Sequence, residues 1–316
     1  MRLARQILLR LLYGAVSLVF ICFVTFAAQS LASGDAATAL AGEKATPEQV
    51  VALRHQMGLD RPFPIQFASF MAGAVRGDLG KSYFGQQRPV GDIMRDNLPT
   101  TATVAFCAMI LAAGIGILLG TLAAIYQNRF ADRVVLTVGT LGVTVPNFVL
   151  APILVYIFAL KLDQLPQTWE DPLRDAAWKY LLLPVVILAA RPTALLTRLT
   201  RASMIETLSQ EFIRTAVAKG VPPLRLYFKH ALRNAILPVI TAIGTSFGFL
   251  LTGSFVVERF FRLPGVGART IEAIQRRDTP VIQGGILITG ALFILVNLAV
   301  DILLPILDPR IREAQV

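Results

Sequence analysis

Five stretches of this chain run for twenty residues or more without a charged side chain: 11–34, 97–128, 134–160, 234–257 and 279–300. A helix needs about 20 apolar residues to cross the hydrocarbon of a bilayer, so each run is long enough to span. A sixth stretch, 178–197, has Lys179 at its mouth and Arg191 inside. Six transmembrane helices and an all-α integral membrane fold are the expectation. Only 16% of residues are charged, against roughly 25% in soluble domains. That deficit excludes a disordered chain or a basic nucleic-acid-binding protein, despite the net charge of +10. The basic excess fits cytoplasmic loops and a membrane surface.

The first run has two readings. Arg2, Arg5 and Arg10 form a basic leader, and Ser30-Leu31-Ala32 resembles a small-x-small cleavage site. A signal peptide has an apolar region of about 7–15 residues, and this run is longer, which favours a retained helix. Lys and Arg in short flanks set orientation. They gather at the N-terminus, at Arg129 and Arg133, in the stretch from Arg198 to Arg233, and at Arg310 and Arg312. With six spans all four groups fall on one side, the cytoplasm, so both termini are expected there. The basic loop 258–278 disagrees, and the long segment 35–96 escapes the rule.

Three pieces follow: residues 1–34 with the N-terminus and first span, an outer segment 35–96, and a transmembrane region 97–316 containing an inner loop, 200–233. In the outer segment Thr46 reads as the N-cap of a helix from Pro47 to Met57, closed by Gly58. In the inner loop Phe212, Ala216 and Val217 recur at helical spacing on one face. Gly220 should stop that helix, and Pro222-Pro223 prevent its continuation.

Chemistry is scarce. Gly80-Lys81-Ser82 looks like the end of a phosphate-binding loop, but that pattern needs a glycine five residues before Gly80, where Val75 stands. Cys22 and Cys107 lie inside apolar runs, so neither a disulfide framework nor a Cys/His zinc site is available. No metal-ligand set or catalytic triad appears within a span. His55 and His230 read as surface or interface residues. Such a chain reads as a membrane protein without its own chemistry, not an enzyme.

Several motifs resemble the permease subunits of ATP-binding-cassette importers. Glu211-Phe212-Ile213-Arg214-Thr215-Ala216-Val217-Ala218-Lys219-Gly220, followed by His230 to Pro238, resembles their cytoplasmic loop. Gly77-Asp78-Leu79-Gly80-Lys81-Ser82, Leu98-Pro99-Thr100-Thr101, Glu258 with Phe261 to Gly267, and Asp301 with Asp308 to Arg312 are similar, in order, to the dipeptide/oligopeptide/nickel group. This is the branch with a long outer segment after the first span. Two departures stand out. Only Ala216 and Gly220 keep their places in the general importer loop, with Arg214 at the position of its Glu. Ser33-Gly34-Asp35-Ala36 lacks the prolines common in the family, which leaves that turn less rigid.

The resemblance implies a pathway between two permease subunits, ATP and Mg bound on two partner ATPases, and a binding protein that delivers cargo from outside. No cofactor is expected on this chain. Glu211, Phe212, Arg214, Ala216, Lys219 and Gly220 would couple to an ATPase, with Ala216 facing it beside Phe212. Gly77, Asp78, Gly80, Glu258, Pro264 and Gly265 would meet the binding protein. Peptides are the default cargo, with nickel or a metal chelate as the alternative. An amphipathic helix on anionic lipid is the competing reading of 211–219, since its basic flanks suit that too.

Two further features stay open. The pairs Gly116/Gly120 and Gly244/Gly248 permit close helix approach, either within the chain or toward a second permease. Pro146, Pro152, Pro184, Pro192, Pro238 and Pro305 read as kinks, which membrane helices tolerate. Arg191 and Asp301 are the two charges expected inside spans. Each sits about seven residues from the inner end of its helix, so a pair or pathway lining is expected of them. A secondary transporter would show inverted repeats and more ionisable residues mid-span; no repeat is evident.

Overall fold

The structure is a computed structural model describing residues 2–31, 36–42, 45–170 and 177–307. The segment Ser33 to Asp35, the tail from Asp308 and the side chain of Asp301 lie outside the described residues. The described chain is almost wholly helical, with one isolated bridge between Lys81 and Pro89. Its helices are α1 (Arg2–Leu31), α2 (Ala36–Ala41), α3 (Pro47–Gln56), α4 (Phe63–Val75), α5 (Val90–Ile125), α6 (Phe130–Thr144), α7 (Asn147–Val155), α8 (Ala177–Leu208), α9 (Glu211–Ala218), α10 (Pro223–Arg225), α11 (Leu232–Gly253), α12 (Phe255–Phe260), α13 (Val266–Arg276) and α14 (Thr279–Leu307). Two π-helical stretches extend them: Tyr156–Lys161 after α7 and Leu226–Ala231 before α11.

Five helical stretches are long and apolar enough to cross a membrane by length and composition: Ile7–Leu31, Val90–Ile125, Trp178–Leu208, Pro223–Phe260 and Thr279–Val300. The expected third span is not one helix. It breaks between Thr144 and Asn147 with a bend of 105°, and α6 and α7 make a sixth span only when taken together. Pro146 supplies the cause. It has no N–H for the next helical bond, and it pushes the residue before it out of the helical region; Val145 is extended at φ −82°, ψ 115°. Pro184, Pro192 and Pro238 lie inside continuous helices, as kinks would.

The chain divides into two compact units: Met1–Ala102 with Arg262–Leu295, and Thr103–Phe261 with Val296–Val316. In the first unit α1 is packed against α4 by a cluster of rings. Phe23 and Phe26 meet Phe63 and Phe67 at centroid distances of 5.5–5.9 Å, edge-on. Gly14 of α1 lies against Ile294 of α14, and Gly290 of α14 against Leu18. This is how a helix built into the fold is held.

The outer segment starts as its sequence suggests. Thr46 caps α3 through a full capping box with Gln49, and Gly58 ends it at φ +67°. Beyond α4, Leu79, Val90 and Met94 pack with Val266, Ala273, Val281 and Ile282 into one buried cluster. The segments 79–97 and 262–283 are therefore a single packed body, in which the Arg269 and Arg276 guanidiniums both pair with Glu272.

In the second unit glycine brings helices together. A Cβ at Gly120 of α5 would lie 2.6 Å from the Thr197 carbonyl oxygen and from Thr200 Cβ of α8, and one at Gly116 2.8 Å from Leu196 Cβ. Gly142 of α6 approaches the Ala190 carbonyl of α8, and Gly244 of α11 sits on Val300. The small-residue spacing at Gly116, Gly120 and Gly244 thus serves packing within the chain.

Candidate functional site

Two surfaces carry the residues singled out by the sequence. One is α9, in the second unit. It follows α8 after a turn at Ser209-Gln210 and ends in a Schellman motif. There the Val221 N–H bonds the Ala216 carbonyl at 3.2 Å and the Gly220 N–H bonds the Val217 carbonyl at 2.9 Å. Gly220 takes φ +72°, which a side chain would strain.

The seat of α9 differs from the expected one. The residue that turns inward is Ile213, buried against Met204, Leu226 and Ala231, with Ala216 half-buried beside it. Phe212 and Val217 flank that stripe and are 39% and 57% exposed. Glu211, Arg214 and Lys219 are exposed as well. Ala216 therefore contacts its own chain first, and the open surface is Phe212 and Val217 with the polar residues between their outer edges. The cause is register. At about 100° per residue, Ile213 falls between Phe212 and Val217, and the middle of the apolar stripe is the part that buries.

The other surface belongs to the first unit. Gly77 ends α4 at φ +80° with the Asp78 N–H on the Gly73 carbonyl, 2.9 Å, a second Schellman closure. The Asp78 carboxylate accepts the Gly80 N–H at 2.9 Å, a local Asx turn. Gly77, Asp78 and Gly80 are exposed, and Pro264 is half-buried. Glu258 and Gly265 are buried in this chain, so they offer a partner no surface. In the second unit, Glu258 accepts the Ser254 hydroxyl at 2.7 Å.

Two carboxylates matter more than their sequence surroundings suggested. Asp278 precedes α14 and is buried. It accepts the Ser82 hydroxyl at 2.5 Å and the Tyr83 N–H at 3.1 Å. Burial pushes its pKa up; the bonds from Ser82 and from the Tyr83 and Val281 N–H groups act against that. Burial, then the Asp278 charge, pushes the Tyr83 phenol up to about 12. Gly80-Lys81-Ser82, the false phosphate motif, is thus one arm of a hairpin paired with Arg88 to Val90 and pinned to the start of α14. Beside it lies an open cleft of about 280 Å³ lined by Arg88, Asn97, Arg269, Glu272 and Arg276. The available signal was an Asp immediately before an apolar run, a standard helix start.

The second is Asp132, in the first turn of α6 and 2% exposed. Arg201 of α8 grips it with two bonds, Nε to Oδ1 at 2.6 Å and a terminal guanidinium nitrogen to Oδ2 at 2.7 Å. Its signal was a single acid at the mouth of a charge-free run, masked by Arg129 and Arg133. Arg191 is exposed on α8 and forms no ion pair among the described residues; whether it meets Asp301 lies outside them.

Known proteins match this chain along most of its length. Residues 116–313 match the family of binding-protein-dependent transport system inner membrane components, and residues 3–105 match the N-terminal model of the same systems. The glutathione transport system permease protein GsiC of Escherichia coli (strain K12) is 38% identical over 95% of this chain and 97% of its own length. A probable peptide ABC transporter permease protein, y4tP of Sinorhizobium fredii, is 37% identical over 97% and 98%. A structure of the MetNI methionine ABC transporter in inward-facing conformations shares the fold, with a TM-score of 0.53, 14% identity and coverage of 68% of this chain and 96% of that one. The chain belongs to the binding-protein-dependent inner membrane permeases, in their peptide/oligopeptide/nickel branch, and is a permease subunit of an ABC importer.

Proposed function

We propose that this chain forms, with a second permease, the pathway by which an ATP-driven importer moves peptides inward. Two partner ATPases would hydrolyse Mg-ATP, and a binding protein would deliver cargo. The observation that carries the reading is α9: a short helix, stopped by Gly220 and seated only by Ile213 and Ala216, that leaves Phe212, Val217 and a polar face open. A helix so placed, joined to the long helix α8 by the short turn at Ser209-Gln210, suits docking on an ATPase and passing on its closure. Lipid contact alone would not require the tight Gly220 stop and the Pro222-Pro223 exit. Peptide cargo is supported by the relatives named for glutathione and peptide transport.

Both termini are placed in the cytoplasm on the Lys/Arg distribution. The exposed Gly77, Asp78 and Gly80 and the half-buried Pro264 are the residues expected to meet the binding protein. Thiol labelling tests the topology. A cysteine at Gln86 should react from outside, and one at Lys219 only after permeabilisation; Thr207, also on the inner side, is buried and a poor reporter. External labelling at Lys219 would reject the topology. Cargo is tested on a binding protein that stimulates the reconstituted complex. Thermal stabilisation by peptides or glutathione, and ATP-dependent uptake of the same ligand by the reconstituted complex, are expected. Stabilisation only by a metal chelate would reject peptide cargo.

A further inference from the structure

Asp132 and Arg201 form a bidentate ion pair between two helices of the second unit. The Asp132 side chain is 3% exposed and that of Arg201 21%. The carboxylate is held from a second direction as well: its Oδ2 accepts the Asn128 N–H at 2.9 Å, with Asn128 at φ +63°. A planar fork on a carboxylate fixes orientation as well as distance, which a lysine cannot do.

The position of the pair is what gives it a consequence. Arg201 lies seven residues before the end of α8, about 10 Å along the axis at 1.5 Å per residue. Past that end the chain turns directly into α9. On the same turn of α8, Gly120 of α5 abuts Thr200 and would place a Cβ 3.1 Å from the Arg201 backbone nitrogen. Asp132 opens α6, which runs to the 105° break at Pro146. Just before that break Gly142 meets the Ala190 carbonyl of α8. So α6 is fastened to α8 twice, by an ion pair at its start and by close backbone contact near its end.

Resting on the coupling reading of α9, we propose that the Asp132–Arg201 pair is the joint through which displacement of α9 and the foot of α8 reaches the broken span α6–α7. Both are positioning residues; neither touches cargo or nucleotide. A pair that merely eased insertion would affect how much complex assembles. A joint affects how much cargo moves for each ATP consumed.

The complete complex, with both permeases, the ATPases and loaded binding protein, is reconstituted in proteoliposomes. Arg201→Lys keeps the charge and loses the fork. Asp132→Asn with Arg201→Gln removes both charges, so no lone buried ion is left to prevent folding. For both variants we expect binding-protein-stimulated ATPase activity to persist in assembled complex. The ATP hydrolysed per cargo molecule imported should rise roughly threefold to tenfold, in the range of couplings carried by packed networks. An unchanged ratio in the doubly neutral variant overturns the joint, and so does a loss of uptake that only follows the loss of assembled complex. If the wild-type complex shows no stimulation by its binding protein, the coupling reading of α9 falls first and the joint with it.

Discussion

The segment 79–97 is held to α13 and the start of α14 by a buried carboxylate and an apolar cluster, while the 200–233 loop rests α9 on a narrow apolar stripe. Residues 79–97 are pinned by Asp278 to Ser82 and Tyr83 and share a cluster with α13 and α14. Helix α9 has Ile213 as its one fully buried side chain. Both regions stop a helix with a glycine at positive φ, Gly77 after α4 and Gly220 after α9, so the same backbone device serves two kinds of attachment. A surface that receives a partner repeatedly benefits from a settled shape. A helix that must move with a partner needs a firm axial link and little lateral glue.

The comparison can be broken most forcefully at the cluster. Met94 is 1% exposed, and Met94→Ala should cost about 2–5 kcal/mol, read as a lowered thermal midpoint of the purified subunit. Little change would mean that the outer body is not the settled one. Next come the glycine stops. Nothing lies within 4 Å of a Cβ at Gly77 or Gly220, so Gly77→Val and Gly220→Val should each cost only the left-handed strain, about 1–2 kcal/mol. Their functional effects should separate: Gly77→Val lowers stimulation by the binding protein, and Gly220→Val raises ATP use per cargo. Identical phenotypes would erase the distinction between the two regions.

Smaller still is the effect of Val217→Ser on stability, expected within about 0.5 kcal/mol because the side chain is exposed. ATP-driven uptake should nevertheless drop sharply, and normal uptake in a fully assembled complex would argue against docking on that face. The least change is expected for Asp278→Asn at acid pH. The folded-state pKa of Asp278 is raised, so the folded form holds its proton more tightly than the unfolded one. The stability this supplies is present at low pH and is lost as pH rises from the ordinary 3.8 through the raised value. Asn stays neutral and should flatten that slope in thermal unfolding between acid and neutral pH. A slope unchanged by the substitution would remove Asp278 as its source.

Local signals were legible in advance. The Thr46 cap, the Gly58 and Gly220 stops and the apolar runs depend on neighbours a few residues away, and the structure has them. Partner choice across long separations was not. Ile213 was passed over for Phe212 and Val217 because the stripe it occupies is defined by Met204, Leu226 and Ala231. Asp132 and Arg201 are 69 positions apart, and nothing in the intervening chain announces their pairing. Glu258 looked like an exposed loop acid, yet packing buries it where Ser254 can answer it. Prolines were the most ambiguous. Pro184, Pro192 and Pro238 bend nothing that ends a helix, whereas Pro146 does, and the sequence marks all four alike.

The elbow at Pro146 also limits what can surround it. Proline has no N–H to return to the Gly142 carbonyl, and the extended Val145 interrupts the ladder on the other side. Hydrocarbon tails carry no donors, so a bilayer cannot solvate such backbone; only protein or water can. Gly142, at the approach to the corner, is already against Ala190, one residue from Arg191. The chain thus carries an irregular corner and a guanidinium-bearing residue at neighbouring levels of an otherwise oily wall. On that flank the lipid must give way to a neighbouring subunit or to a wetted cavity.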